Sequence, residues 1–198
     1  MPRPLTPSVQ MGFYGKLPAR GDFVRHGLPR DFIDPWDQWL DGVLSITRSE
    51  SGDAWLPAYL EAPVWRFALP AGLCGSRPVL GVTMPSVDKA GRYFPITFAA
   101  IPDAPDLDPM TGGDWLDHCE DAGRDSLEFD VAPDRIAADL PDPLLSRAAT
   151  PTRESHWWTS GSLRLPPRQI SLFGLPDHRL FATMLGISGD ATMPADAS

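Results

Sequence analysis

Three groups of residues in this chain have the types and spacing to do chemistry. Ser86 and Asp88 stand close together, with His156 far along the chain. A hydroxyl, a carboxylate and an imidazole can assemble a nucleophile and its base from any chain order, because the chemistry needs spatial adjacency only. That reading is a small hydrolase using Ser86 or Asp88. The competing reading of Asp88 is local: its carboxylate accepts turn N–H groups and pairs with Arg92. The second group is the loop Gly15-Lys-Leu-Pro-Ala-Arg-Gly-Asp22. Lys16 and Arg20, joined by Arg92, carry the charge to hold a phosphate, a phosphopeptide or a partner's carboxylate, and Gly21 lets the backbone approach closely. The alternative is an ordinary loop with Arg20 and Asp22 paired at its base. The third group is tryptophan, seven in all, clustered as Trp36 with Trp39, Trp55 with Trp65, and Trp157 with Trp158. Such clusters mostly fill cores, and an exposed minority marks protein-binding surfaces.

Other chemistries lack their residues. Gly15-Lys16 is followed by Leu17 rather than Ser or Thr, so there is no phosphate loop. GxGxxG and GxSxG are both missing. His26, His118, His156 and His178 stand singly, without the paired spacing of a metal site. Cys74 and Cys119 lie outside any CxxC pattern and read as reduced thiols. No metal and no cofactor are expected, and the reading is of a binding protein rather than an enzyme.

The elements that position these groups follow from periodicity. Met11–Tyr14 reads as a first strand ended by Pro18. A helix is expected over 34–50, with Asp34 as N-cap, Pro35 at the first helical position, and Trp36, Trp39, Leu40, Val43, Leu44 and Thr47 on one face. A short helix follows at 55–60. Strands are expected at 64–69, 78–84 and 93–101, with a hairpin-like connection over 85–92 in which Gly91 supplies a positive φ. Helices at 114–129 and 134–140, strands at 156–159 and 169–173, and a helix at 176–185 complete the pattern. Helices alternating with strands imply an α/β protein, and the central hairpin implies a mixed sheet.

The chain has 198 residues, 42% hydrophobic and 22% charged, which suits one globular domain over 11–187. A disordered N-terminal segment (1–10) and a flexible tail (188–198) are expected around it. The formal net charge of −9 argues against nucleic acid and against an anionic membrane surface. Arg3, Lys16, Arg20, Arg25 and Arg30 nevertheless leave room for a local positive face. Residues 1–10 hold no apolar signal region, and no run suits a membrane span, so a cytoplasmic location is expected.

Four blocks then carry a family resemblance. Gly12-Phe-Tyr-Gly-Lys-Leu-Pro-Ala-Arg-Gly-Asp-Phe-Val24 resembles the N-terminal signature of the TagF family, also called ImpM. Asp34-Pro-Trp-Asp-Gln-Trp39 is similar to its first-helix motif. Trp65-Arg-Phe67, Gly72, Gly75, Gly81-Val82 and Pro85-Ser-Val-Asp-Lys-Ala-Gly-Arg-Tyr-Phe-Pro95 resemble its central block, and His156-Trp-Trp-Thr-Ser-Gly161 its late tryptophan motif. The resemblance implies a three-layer α/β/α sandwich. It also implies a post-translational negative regulator of the bacterial type VI secretion system, acting by binding the forkhead-associated scaffold protein of the apparatus. Lys16, Arg20, Arg92, Trp157 and Trp158 are the candidate contacts, since Arg and Trp are frequent hot spots. Gly15, Asp22, Trp36, Trp39, Ser86, Asp88 and Gly91 fall in the same blocks and read as structural.

Overall fold

The computed structural model of the protein describes residues 8–148 and 152–187. The chain runs β1 (Val9–Gly15), β2 (Val24–His26), α1 (Arg30–Ser51), α2 (Trp55–Leu60), β3 (Trp65–Leu69), β4 (Val79–Met84), β5 (Ile96–Pro102), α3 (Gly113–Glu128), α4 (Pro133–Asp139), β6 (Glu154–Thr159), β7 (Arg168–Phe173) and α5 (His178–Met184). Val9 and Gln10, expected ahead of the first strand, are its first two residues, paired with Pro102 and Ile101. Residues 1–7 and the tail from 188 lie outside the described residues.

The strands form one seven-stranded sheet in the order β2-β1-β5-β4-β3-β6-β7. Every neighbouring pair is antiparallel. The α/β class holds, and the expectation of a mixed sheet is corrected. A parallel neighbour requires a crossover between adjacent strands. Here the helices bridge strands that are not adjacent: α1 and α2 lie between β2 and β3, while α3 and α4 lie between β5 and β6. Neighbours β3, β4 and β5 follow one another without an intervening helix, as do β6 and β7.

Each face of the sheet carries its own core. Strand alternation sends Trp65, Phe67, Leu69, Ala99, Ile101 and Trp157 toward α1, α2 and α5. Leu80, Val82, Met84, Ile96, Phe98 and Ala100 point the other way, toward α3 and α4. Gly81 at the sheet centre leaves room for the Phe67 ring: a Cβ there would stand 2.3 Å from that ring and 2.6 Å from the Phe98 carbonyl oxygen.

Helix α1 starts a turn earlier than its cap residues suggest. Phe32 and Ile33 are buried on the same stripe as Trp36, Leu40, Val43 and Leu44, so burial extends the helix back to Arg30 behind Pro29. Pro35 therefore sits inside the helix, where its missing N–H forgoes one ladder bond. Asp34 caps nothing, and Asp37 instead accepts a hydrogen bond from the Tyr14 hydroxyl of β1. No helix among the described residues is long and apolar enough to cross a membrane.

Candidate functional site

The connection between β4 and β5 folds as the tight turn its residues imply. Asp88 N–H donates to the Arg92 carbonyl at 3.0 Å and Gly91 N–H to the Asp88 carbonyl at 2.9 Å. Gly91 takes φ 79°, the left-handed region that favours glycine. A Val87–Tyr93 bridge closes the base.

The Asp88 carboxylate is buried at the centre of this turn and is fully engaged. Oδ1 accepts the backbone N–H groups of Ala90 and Arg92, each at 2.9 Å. Oδ2 accepts Arg92 Nε at 2.7 Å and Lys16 Nζ at 3.0 Å. Burial by itself would raise the acid's pKa. The Arg92 backbone N–H, the Lys16 ammonium and the Arg92 guanidinium outweigh it and hold the group well below the usual carboxylate range. An anion held by four donors is a poor general base at neutral pH.

Ser86 is committed in the same way. Its hydroxyl donates to the Lys16 carbonyl at 2.6 Å. Its backbone N–H donates to the Tyr59 hydroxyl at 3.0 Å, and its carbonyl accepts from that hydroxyl at 2.9 Å. Gly15 enables the approach of the loop to this hairpin. It has φ 142°, and a Cβ would fall 2.0 Å from the Pro95 carbonyl oxygen. Lys16, extended below Phe23, also lies 5.0 Å from that ring's centroid, a cation–π contact.

The serine, aspartate and histidine proposed for hydrolysis are not brought together. His156 pairs across β3 with Ala68, which pairs with Leu80 of β4. Ser86 follows the opposite end of β4, so roughly 20 Å of strand separates the two at ~3.3 Å per residue. His156 Nδ1 contacts the Ser171 hydroxyl at 2.8 Å instead. Among the described residues no cluster of His, Cys, Asp and Glu is placed to hold a metal. Both cysteines are free and buried.

Two of the three basic residues, Lys16 and Arg92, are brought together around a carboxylate that the protein itself supplies. Lys16 and Arg92 both face Asp88, so the anion site they would form is already filled by a side chain. Arg20 holds its place through the backbone: its carbonyl accepts Lys89 N–H at 2.8 Å. Among the described residues its guanidinium reaches only the neighbouring Ala19 carbonyl, at 3.3 Å. The expected Arg20–Asp22 pair does not form, because Asp22 Oδ1 accepts the Phe23 N–H at 2.8 Å. Arg92 Nη2 donates to the Gly21 carbonyl at 2.5 Å, which locks the two segments into one unit.

The two late tryptophans divide between the faces of the sheet, as consecutive strand residues must. Trp157 is 1% exposed and packs against Trp36 (ring centroids 6.1 Å apart), Trp39 and Phe67. Trp36 Nε1 donates to Thr97 Oγ1 at 3.1 Å, and Trp39 Nε1 to the Pro176 carbonyl at 2.7 Å. Lys16 and Trp157 are buried and are not surface contacts. Arg20 and Arg92 are exposed and Trp158 is half-buried, beside Arg66, whose guanidinium pairs with Asp117 and Glu120. Trp158 lies four strands from β1, roughly 19 Å across the sheet at ~4.8 Å per strand, so these candidates form two separate surfaces.

Sequence reasoning missed Tyr59, Lys89 and Phe23. A tyrosine within an amphipathic turn needs a partner for its hydroxyl when buried, which was the available signal for Tyr59. Lys89 and Phe23 carry no such signal, since their neighbours come from distant segments.

Comparison with known proteins adds to this geometry. A family model described as TagF N-terminal domain, type VI secretion system-associated, matches residues 12–142. The late tryptophan block lies beyond that match. The crystal structure of PA0076 from Pseudomonas aeruginosa PAO1, determined at 2.05 Å, is similar to this chain with a TM-score of 0.80 and 35% identity. The similarity covers 95% of this chain and 99% of that one. No curated protein matches.

Proposed function

This chain belongs to the TagF family of type VI secretion-associated proteins, and we propose from that premise that it is a post-translational negative regulator of the secretion apparatus, acting in the cytoplasm by binding the forkhead-associated scaffold protein. One observation carries the reading as binding rather than catalysis. The polar residues of the N-terminal and central blocks meet, and they are spent on one another: Asp88 on Lys16 and Arg92, Ser86 on Lys16 and Tyr59. What they build is a fixed loop–hairpin surface, with Arg20 and Arg92 facing outward.

The regulator would act by steric sequestration, covering scaffold surface that the rest of the machine needs. A specific interface of this kind buries at least about 1,000 Å² in total. Arg20, Arg92 and Trp158 are the contact candidates that keep exposed surface. Deleting the gene tests the reading. Secretion through the apparatus is expected to rise while the abundance of its components stays constant; unchanged secretion would contradict the proposal.

A further inference from the structure

Three cations from distant parts of the chain meet beside the end of β1. Lys89 N–H donates to the Arg20 carbonyl at 2.8 Å, and Arg92 Nη2 to the Gly21 carbonyl at 2.5 Å. Arg20, Lys89 and Arg92 thus become neighbours, and all three are exposed. Among the described residues neither Arg20 nor Lys89 takes part in an ion pair. The acids nearby have other duties or places. Asp88 is buried under Lys16 and Arg92, and Asp22 accepts the Phe23 N–H. Asp134 of α4 lines an open depression together with Arg20, Asp22 and His26. Arg25, paired with Tyr14 of β1, is exposed and lines the same depression as Arg20. A positive ridge therefore stands on a chain of formal net charge −9. Phe23 flanks it, 43% exposed and held on its inner side by Tyr14 and Phe94.

We infer that the Arg20–Lys89–Arg92 ridge, with Phe23 beside it, docks an acidic segment of a partner protein, rich in Asp and Glu and carrying an apolar side chain. Charge complementarity selects that occupant. An acidic segment is repelled by the surface at large and drawn to this ridge, which steers encounter and fixes register. Arg92 is already oriented by Asp88 and Gly21, so little side-chain freedom remains to be lost when a carboxylate binds its outer edge. Phe23 supplies desolvated contact area next to the charges. The inference rests on the reading that this chain works by binding a protein partner, and it specifies where.

The test uses the whole chain, labelled with ¹⁵N, titrated at low ionic strength with poly-L-glutamate. Amide shifts are expected in residues 20–23 and 89–92, with binding at least ten-fold weaker in the double variant Arg20→Glu/Lys89→Glu. Neither side chain holds a buried contact, and an unchanged far-UV circular dichroism spectrum checks the fold. The control Arg168→Glu/Arg179→Glu is expected to bind as wild type does. Shifts elsewhere, or none, overturn the inference. Equal shifts from inorganic phosphate at matched charge overturn it in favour of a small-anion site. Purified forkhead-associated scaffold separates this from the proposed function. If the scaffold fails to bind wild type while polyglutamate still finds the ridge, the regulator reading fails and the ridge stands. If the scaffold binds wild type and Arg20→Glu/Lys89→Glu equally, the ridge inference fails and the regulator reading stands.

Discussion

Arg92 Nε lies 2.7 Å from Asp88 Oδ2, and Nη2 of the same guanidinium donates to the Gly21 carbonyl. One side chain thereby joins the hairpin that carries it to a loop from the other end of the domain's first half. Lys16 approaches the same carboxylate oxygen from that loop. Asp88 is the pivot of the whole unit.

Removing the pivot leaves a buried lysine without its counter-charge, and such a loss costs more than the intact pair contributes. Asp88→Ala is expected to be the least stable of the variants at Lys16, Asp88 and Arg92. Arg92→Ala is milder, because its side chain is 58% exposed and Lys16 still pairs with Asp88. Urea denaturation of the three variants ranks them. Equal midpoints for Asp88→Ala and wild type would contradict the role given to the carboxylate.

The same pivot sets a pH dependence. The carboxyl of Asp88 titrates below its usual range in the folded state, while in the unfolded chain it titrates near about 4. The folded form thus binds this proton less readily, so the contribution is fully present above about pH 4 and is lost as pH falls toward the folded value. The difference in melting temperature between wild type and Asp88→Asn is expected to be largest above pH 5 and to shrink between pH 4 and pH 2. Other carboxylates cancel in that difference. A gap that is constant or widens in acid contradicts the assignment.

Trp157 and Trp158 separate stability from recognition. Trp157→Ala opens a cavity among Trp36, Trp39 and Phe67 and is expected to cost about 3–5 kcal/mol. Trp158→Ala, half-buried on the opposite face, is expected to cost about 1 kcal/mol, in the range of ordinary substitutions. Chemical denaturation reads both, and similar losses would contradict the facial division.

Two glycines of one loop should respond oppositely to the same change. Gly15→Ala places a methyl group 2.0 Å from the Pro95 carbonyl oxygen at φ 142°, and is expected to abolish the folded state or destabilise it severely. Gly21→Ala meets nothing within 4 Å and is expected to fall within about ±0.5 kcal/mol of wild type. Thermal melts of the pair decide, and a well-folded Gly15→Ala would contradict the close packing described at the loop's start.

The cysteines offer a probe of opening. Burial pushes the Cys74 thiol up to about 12, and Cys119 is raised by the same cause despite the opposing charge of Arg66. A thiol-exchange reagent at neutral pH is expected to leave both unmodified in the native protein and to label both in denaturant. Fast native labelling of either would contradict its burial.

Much of this was legible in the sequence, for identifiable reasons. Alternation over Trp65–Leu69 and the helical stripe from Trp36 to Leu44 mark their elements because one buried face dictates each period. The Asp88–Arg92 pairing was readable because it is local. Strand direction was not, since alternation within a strand says nothing about its neighbours. Asp34 and Pro35 suggest a helix start at Asp34, and two buried apolar residues, Phe32 and Ile33, override them. Lys16 looks like a surface charge in the sequence because its counter-ion comes from the far hairpin. Trp157 and Trp158 are adjacent in the sequence, and a strand over 156–159 places such consecutive residues on opposite faces.

The most direct measurement of the central claim is co-purification of wild-type chain from native lysate, with recovered proteins identified by mass spectrometry and the interaction repeated with purified scaffold. The account predicts recovery of the forkhead-associated scaffold of the type VI apparatus, and direct binding of the purified pair. A purified scaffold that does not bind the folded chain would contradict it.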